Sequence, residues 1–483
     1  MNIIHKQMLI NGEFVDSQSG QTIDVVSPAT NEICGKVPSA APEDINRAVE
    51  AADLAFIAWS ETTAFYRGEL LRTASMYVRE QADEIARIMT LEQGKPFLEA
   101  KGEVLKGADI LRYYAEEGER VYGRIIPNAD GNDIVSHVIY QPIGVAACIS
   151  PWNYPIELLA WKLGGAMASG CTCVIKVPSE TPLSPIAFVE TILKASFPNG
   201  VINIVTGPGK QIGDLLTKHP KVKKVAFTGS TAVGKHIAEN CAGSLKHLSL
   251  ELGGSEPMIV CKDADLDAAA KGACRRSFRN MGQICIAINR IYVDSSVYDL
   301  FVQKFAQEVQ ALTIGNGLDS PCDLGPMCTI GGVNTAKHHV EDALQKGAVL
   351  VCGGKSPEGA EFSRGNYYEP TILKDVTHEM VVMQEETFGP VVGVMPFDTI
   401  ENAIAMANDT PYGLAAIVYT QNLSTAALLS RKIQAGNVAI NNVDAGVINA
   451  PYGGWKESGY GHEHGPEGLY EYLNTKHVRI RTL

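Results

Sequence analysis

The chain has 483 residues, 45% of them hydrophobic and 20% charged, an ordinary globular composition with length enough for two or three packed units. A formal net charge of −13 argues against a nucleic-acid surface, and no apolar run is long enough to cross a bilayer. Eleven cysteines, no C-x-x-C pair and no positively charged apolar leader predict free thiols in a reducing cytoplasm.

"MNIIHKQMLINGEFVDSQSG" reads as a short strand, a turn and a second strand. From Pro42, "PEDINRAVEAADLAFIAW" spaces Ile45, Val49, Ala52, Phe56 and Trp59 near a helical period, with acids in the first turn. One amphipathic run then extends from Tyr66 to Met89 through Leu70, Leu71, Ala74, Tyr77, Val78, Ile85 and Ile88. "RIIPNADGNDIVSHVIYQPIG" has the pattern of a projecting hairpin. Next, "PIGVAACISPWNYP" is a buried strand entering a proline-bounded loop. Helix-like and strand-like stretches alternate after it: "IELLAWKLGGAMASG", "CTCVIKVP", "PLSPIAFVETILKASF", "GVINIVTG", "GKQIGDLLTKHP" and "VKKVAFTGS". Such alternation predicts a parallel, doubly wound sheet. Cys171 and Cys173 fall on one face of a strand in it.

The pattern restarts after Gly253 and Gly254 with "EPMIVCKDADLDAAAKGACRRSF" and "NRIYVDSSVYDLFVQKFAQEVQ", giving a second α/β unit from about 251 to 440. "EYLNTKHVRIRTL" is a lone terminal strand. Isolated strands need a sheet to join, so this strand and the hairpin are read as arms pairing with another subunit; the alternative is that they close their own chain's sheet.

"GSTAVGKH", residues 229–236, nearly spells a phosphate loop, but His236 stands where a Ser or Thr must reach magnesium. The NTPase reading is rejected, while a glycine turn entering a helix still suits a nucleotide pyrophosphate. "GPGKQIG" carries its third glycine one residue late for the dinucleotide fingerprint. The histidines include the pair His338–His339 and the triplet His462-Glu463-His464 but no H-E-x-x-H; solvated loop histidines are expected there, and no metal site.

Cys285, in "RNMGQICIAINR", becomes chemistry rather than packing only if partners exist elsewhere. "SPWNYP" presents Asn153 after a buried strand, where its amide can donate to a developing oxyanion. "LELGG" sets Glu251 in apolar surroundings that raise a carboxyl's pKa toward the range of a general base. "QEETFGP" adds Glu386 before an apolar turn. Singly, these are also a turn residue, a satisfied buried acid and a cap.

Together, "LEQGKP", "PWNYP", "FTGS", "LELGG", "GQIC", "EETFGP" and "PYGGWKESGYG" resemble, in order and spacing, the NAD(P)-dependent aldehyde dehydrogenase superfamily. The resemblance implies an α/β fold with two doubly wound domains and a β oligomerisation arm. It divides the chain into a nucleotide-binding domain (1–123 and 143–250), a catalytic domain (251–440), an arm (124–142 and 469–483) and a tunnel and cofactor-side loop region (441–468). A homodimer or homotetramer follows. It further implies Cys285 as the nucleophile, Asn153 and the Cys285 amide as oxyanion donors, Glu251 as the base that activates water, and Lys162 near the proton path. On the cofactor side it implies Lys176 at the adenosine ribose, Glu386 at the nicotinamide ribose, Gly229 and Ser230 at the pyrophosphate, and Ile149, Trp152 and Phe388 in the cleft. Ser179, with Glu180 beside it, stands where many NAD-selective members carry glutamate; serine admits a 2′-phosphate, so NAD or NADP is left open.

The wording "RNMGQIC" and "NRIYV" is similar to the succinate-semialdehyde branch, in which the arginine six residues before the nucleophile, here Arg279, helps bind a distal carboxylate. Trp161 departs from that branch, which often has a second arginine there, and Tyr154, Trp161 and Tyr452 are expected to form an aromatic wall. A small anionic aldehyde is therefore expected: a semialdehyde, a hydroxyaldehyde or a sulfonated aldehyde. A general aliphatic or aromatic aldehyde is the alternative. A CoA-acylating enzyme, which needs no water-activating base, and a non-catalytic nucleotide-binding protein rank below it.

Overall fold

The computed structural model describes residues 3–131 and 133–481; Met1, Asn2, Asn132, Thr482 and Leu483, which the expected first domain and arm include, lie outside the described residues. Four sheets organise the described residues. The largest has eight strands, in the order Gly459–Tyr460, His247–Glu251, Val222–Thr228, Val145–Ile149, Thr172–Lys176, Ile202–Val205, Met8–Ile10 and Glu13–Val15. Its five middle strands are parallel, and the edge pairs are antiparallel.

Strand alternation sorts the side chains of this sheet into two cores. Cys171, Cys173, Ile175, Ala146 and Cys148 join the helices Ala64–Glu80, Ala82–Gln93, Phe97–Gly118, Glu157–Ser169 and Leu183–Leu193 on one face. Val145, Ala147, Ile149 and Val174 meet Pro42–Trp59, Gly209–Lys218 and Thr231–Ala242 on the other. The helix from Pro42 starts where proline's missing N–H costs nothing, and Asp44 accepts the Ala41 N–H at 2.9 Å. The run expected from Tyr66 to Met89 is two helices, broken at Gln81 with φ −98° and ψ 9°. Both bury the same side, so a one-residue bend leaves the apolar period unbroken and invisible to pattern.

The second unit is a seven-stranded sheet, in the order Val349–Cys352, Thr371–Lys374, Val391–Phe397, Ile288–Asp294, Glu256–Val260, Ala415–Tyr419 and Asn437–Ile440, parallel except at the first strand. A small sheet of Ile4–His5, Ile33–Pro38 and Thr22–Val26 has no counterpart in the sequence reading. The fourth sheet is built from the two arm pieces. The hairpin Arg124–Ile126 and Ile134–Pro142 pairs with the terminal strand Leu473–Arg481, from Leu473 opposite Pro142 to Arg481 opposite Ile134. The two pieces expected to reach another subunit thus find each other within the chain. They form a sheet whose outer strands each pair on one side only among the described residues, and Ile125, Val135 and Ile480 are exposed on it.

Candidate active site

The parallel strands of the first sheet leave a crevice where the chain changes direction. From Val145–Ile149 it proceeds through two neighbours on one side, then crosses to Val222–Thr228 and His247–Glu251 on the other. Ligands of doubly wound sheets sit at the carboxyl ends of the strands at such a switch. Ile149, Lys176, Thr228 and Glu251 are all terminal residues of these strands, and Trp152, Asn153, Gly229 and Ser230 follow in their loops.

Cys285 comes from the second unit, on a loop whose approach is strained. Asn280, Met281 and Gly282 have φ of 50°, 59° and 68°, three successive left-handed residues. Side chains hold them there: Gln93 Nε2 donates to Asn280 Oδ1 at 3.0 Å, and Asn280 Nδ2 donates to the Asn153 carbonyl at 3.1 Å. The double glycine of "LELGG" has a spatial reason. A Cβ on Gly254 would collide with the Cys285 carbonyl, and one on Gly253 with the Glu386 carboxylate.

Asn153 is buried, and its Nδ2 donates to the Gln283 carbonyl at 3.0 Å, two residues before Cys285. One amide hydrogen is thereby used and the other is left for an oxyanion. Lys95, absent from the sequence reading as a site residue, donates to the Asn153 carbonyl at 2.7 Å and lies 3.7 Å from the Tyr154 ring centroid, paired with buried Glu103.

Burial, and then the neighbouring Glu463, raise the Glu251 carboxyl to about 7, while Cys285 and Lys162 pull it down. Neither Glu251 oxygen has a hydrogen-bond partner among the described residues. Burial, followed by Glu251, Glu386 and Glu256, pushes the Cys285 thiol well above its ordinary range, so the resting group is a thiol. Lys162 is fully buried; its ammonium donates to Glu463 Oε1 and Thr228 Oγ1, each at 2.6 Å. Glu463 is the acid the sequence reading missed. It lies inside the His462-Glu463-His464 triplet, a pattern that by itself points to metal ligation.

The expected cofactor residues gather at the crevice. Lys176 is buried and its ammonium makes no hydrogen bond among the described residues, and a Cβ on Gly209 would lie 3.7 Å from its Nζ. Ser179 donates to the Gly207 carbonyl at 3.2 Å, which puts it beside the same turn. The Gly229 N–H bonds to the Glu251 carbonyl at 3.1 Å, and Ser230 precedes the helix Thr231–Ala242. Glu386 accepts the Gly254 N–H at 3.2 Å, and burial raises its carboxyl to about 8. Phe388, with φ of 46°, meets Trp152 edge-on at 5.4 Å. His236, in the near phosphate loop, bonds to Asp214 at 2.7 Å.

A cavity of about 480 Å³ joins the chemical residues to the expected substrate residues, being lined by Asn153, Glu251, Cys285, Tyr154, Trp161, Arg279 and Tyr452. Arg279 donates through Nε to Glu99 Oε1 at 3.0 Å, and neither terminal nitrogen of its fork makes a hydrogen bond among the described residues. Arg276, unforeseen, also lines the cavity and pairs with Asp444. The aromatic wall is not continuous. Tyr154 packs with Ile284 and Ala287 and donates to Glu99 at 2.8 Å, whereas Trp161 and Tyr452 are separated by His464. The expectation of solvated histidines holds at His338 and His462, which are exposed, and is corrected for their neighbours. His464 is buried in the cavity wall, and His339 is buried on the helix Ile330–Gln345 with Nδ1 at 3.0 Å from Thr387 Oγ1. Short polar sequence around a histidine does not reveal which long-range partner covers it. Among the described residues no group of His, Cys, Asp and Glu is arranged to hold a metal, and no helix is long and apolar enough to cross a membrane.

A model of the aldehyde dehydrogenase family matches residues 14–478. The chain is 44% identical over 482 residues to the NADP(+) succinate-semialdehyde dehydrogenase of Escherichia coli (strain K12), covering 99% of this chain and 98% of that protein. It is 40% identical over 479 residues to a 3-sulfolactaldehyde dehydrogenase of Pseudomonas putida, covering 99% and 97%. Among solved structures, an E. coli NADP-dependent enzyme superposes with a TM-score of 0.96 at 44% identity, covering 99% of this chain and 98% of that one. The betaine aldehyde dehydrogenase of Staphylococcus aureus in complex with NAD+ superposes with a TM-score of 0.95 at 36% identity, covering 99% and 95%.

Proposed function

The chain belongs to the aldehyde dehydrogenase family, and from that premise we propose that it oxidises a small anionic aldehyde to the acid through a thioester on Cys285. One observation carries the reading: Cys285, Glu251 and Asn153, from three separate segments, line one cavity. The Cys285 thiol gives its proton to water in the cavity, and the sulfur attacks the aldehyde carbon as the thiolate. The oxyanion so formed is held by the free Asn153 amide hydrogen and the Cys285 N–H. NAD or NADP, when bound, accepts the hydride that leaves this carbon. Glu251 then deprotonates the water that releases the acid, and the Lys162–Glu463 pair carries the proton onward. A base beside the nucleophile suits hydrolysis and not transfer to CoA. The test is stoichiometry: one acid formed per reduced cofactor without CoA. Strict dependence on CoA overturns the reading.

The crevice fits a dinucleotide. Lys176 supplies a buried, unpaired ammonium, Glu386 a half-buried carboxyl group, and the Gly229–Ser230 turn a helix N-terminus. In this reading 1–123 with 143–250 is the nucleotide-binding domain and 251–440 the catalytic domain. Ser179 leaves room for a 2′-phosphate. Ser179→Glu is expected to lower kcat/KM with NADP far more than with NAD; equal effects on both cofactors would show that Ser179 does not face the ribose.

The anionic group of the substrate is assigned to Arg279, whose two unbonded terminal nitrogens are the natural fork for a carboxylate or sulfonate. Arg279→Leu removes a charge-assisted contact made in ground and transition states alike, so KM for succinate semialdehyde rises roughly ten- to a hundredfold. Propanal is spared. A uniform loss on both aldehydes makes Arg279 a structural partner of Glu99 only. Assembly as a homodimer or homotetramer is proposed through the fourth sheet, whose open edges and exposed Ile125, Val135 and Ile480 call for cover. The free thiols fit a reducing cytoplasm.

A further inference from the structure

We propose that the His464 imidazole is a hydrogen-bond acceptor that selects aldehydes carrying a hydroxyl between the carbonyl carbon and the terminal anion. The inference rests on the substrate-cavity reading above and narrows it. His464 lines the cavity, sandwiched between Trp161 and Tyr452 at centroid distances of 3.5 and 4.8 Å, each with an interplanar angle of 18°. Flanked on both faces, the ring is held in one plane. Its backbone is held as well, at a left-handed φ of 58°, with Gly468 N–H donating to its carbonyl at 2.8 Å.

The tautomer follows from one contact. Nδ1 lies 3.3 Å from the Val447 carbonyl, which can only accept, so the proton sits on Nδ1 and Nε2 keeps its lone pair. Nε2 has no hydrogen-bond partner among the described residues. Burial, then Lys106 and Lys162, depress the imidazole to about 3, so it stays neutral wherever the enzyme works. Lys106, Arg276 and Arg279 on the cavity wall disfavour a substrate ammonium, which leaves a hydroxyl as the donor that fits.

Position points the same way. Tyr452 adjoins the Cys285 thiol and stacks on His464, which sets the imidazole one ring away from the reacting carbon. With Lys106, Arg276 and Arg279 supply the positive charge of this cavity. A donor on the carbon next to the aldehyde therefore meets an acceptor while the far end meets guanidinium.

The experiment compares kcat/KM within two pairs of substrates: lactaldehyde with propanal, and the α-hydroxy derivative of succinate semialdehyde with succinate semialdehyde itself. The wild type is expected to favour the hydroxylated member of each pair by about tenfold, the worth of one neutral hydrogen bond. His464→Phe preserves an aromatic ring in the stack but offers no acceptor, and brings both ratios to about one. His464→Gln, whose amide oxygen accepts, restores part of the preference. Absence of a hydroxyl preference in the wild type, or its survival in His464→Phe, overturns the proposal; the wild-type ratios decide even if the variants fold poorly. The comparison across pairs tests the anion separately. A hydroxyl preference without any preference for the carboxylated pair refutes the Arg279 assignment and leaves that of His464 standing.

Discussion

Cys285→Ala is expected to abolish aldehyde oxidation, by at least about a thousandfold, while nucleotide binding and thermal stability persist. The size of the effect follows from the mechanism, since without sulfur no thiohemiacetal forms and no hydride donor of the right geometry exists. Its selectivity follows from the structure. Cys285 is only half-buried, alanine keeps its Cβ, and the bonds that hold the loop belong to Asn280, Gln283 and Asn153. The variant therefore enlarges a cavity that is already open and disturbs no packed core. Cofactor titration and a melting curve report the fold, and reduced-cofactor formation reports the chemistry. Substantial turnover by this variant would falsify the covalent route.

Glu251→Gln separates the two halves of the reaction. The amide cannot take a proton from water, so release of the acid slows by about a hundredfold or more. Acylation suffers less, because removal of the carboxylate also removes the charge that holds the Cys285 thiol up. Rapid mixing is expected to show a burst of reduced cofactor followed by slow turnover. The pH profile supplies the sign. Glu251 acts as a base only when ionised, so wild-type turnover rises as pH passes about 7, and the variant loses that step. If burst, steady state and pH profile are all unchanged, Glu251 is not the base.

Much of this was legible in the residues. The strand–helix alternation located both large sheets, because fully buried parallel strands read as apolar runs bounded by glycine and proline. Cys285, Glu251 and Asn153 were found by asking which groups a cysteine nucleophile requires, and they line one cavity. What stayed hidden depends on distance along the chain. Lys95 reaches Asn153 across 58 residues, and Lys162 reaches Glu463 across 301. No local pattern records such a pairing. His464 was hidden for the same reason, since its covers, Trp161 and Tyr452, lie on different segments. The mutual pairing of hairpin and terminal strand is likewise a choice between distant edges, which composition cannot make.

The left-handed turn before Cys285 also bears on the order in which the molecule is assembled. Asn280 and Met281 occupy a conformation that costs roughly 1–3 kcal/mol at each residue. The groups that hold Asn280, the Gln93 side chain and the Asn153 carbonyl, belong to the other unit. The apolar clusters of the two units are separate and include neither of these groups. The turn is therefore expected to become the favoured state only once the two are docked, with the nucleophile shaped late in folding and lost early when the units part.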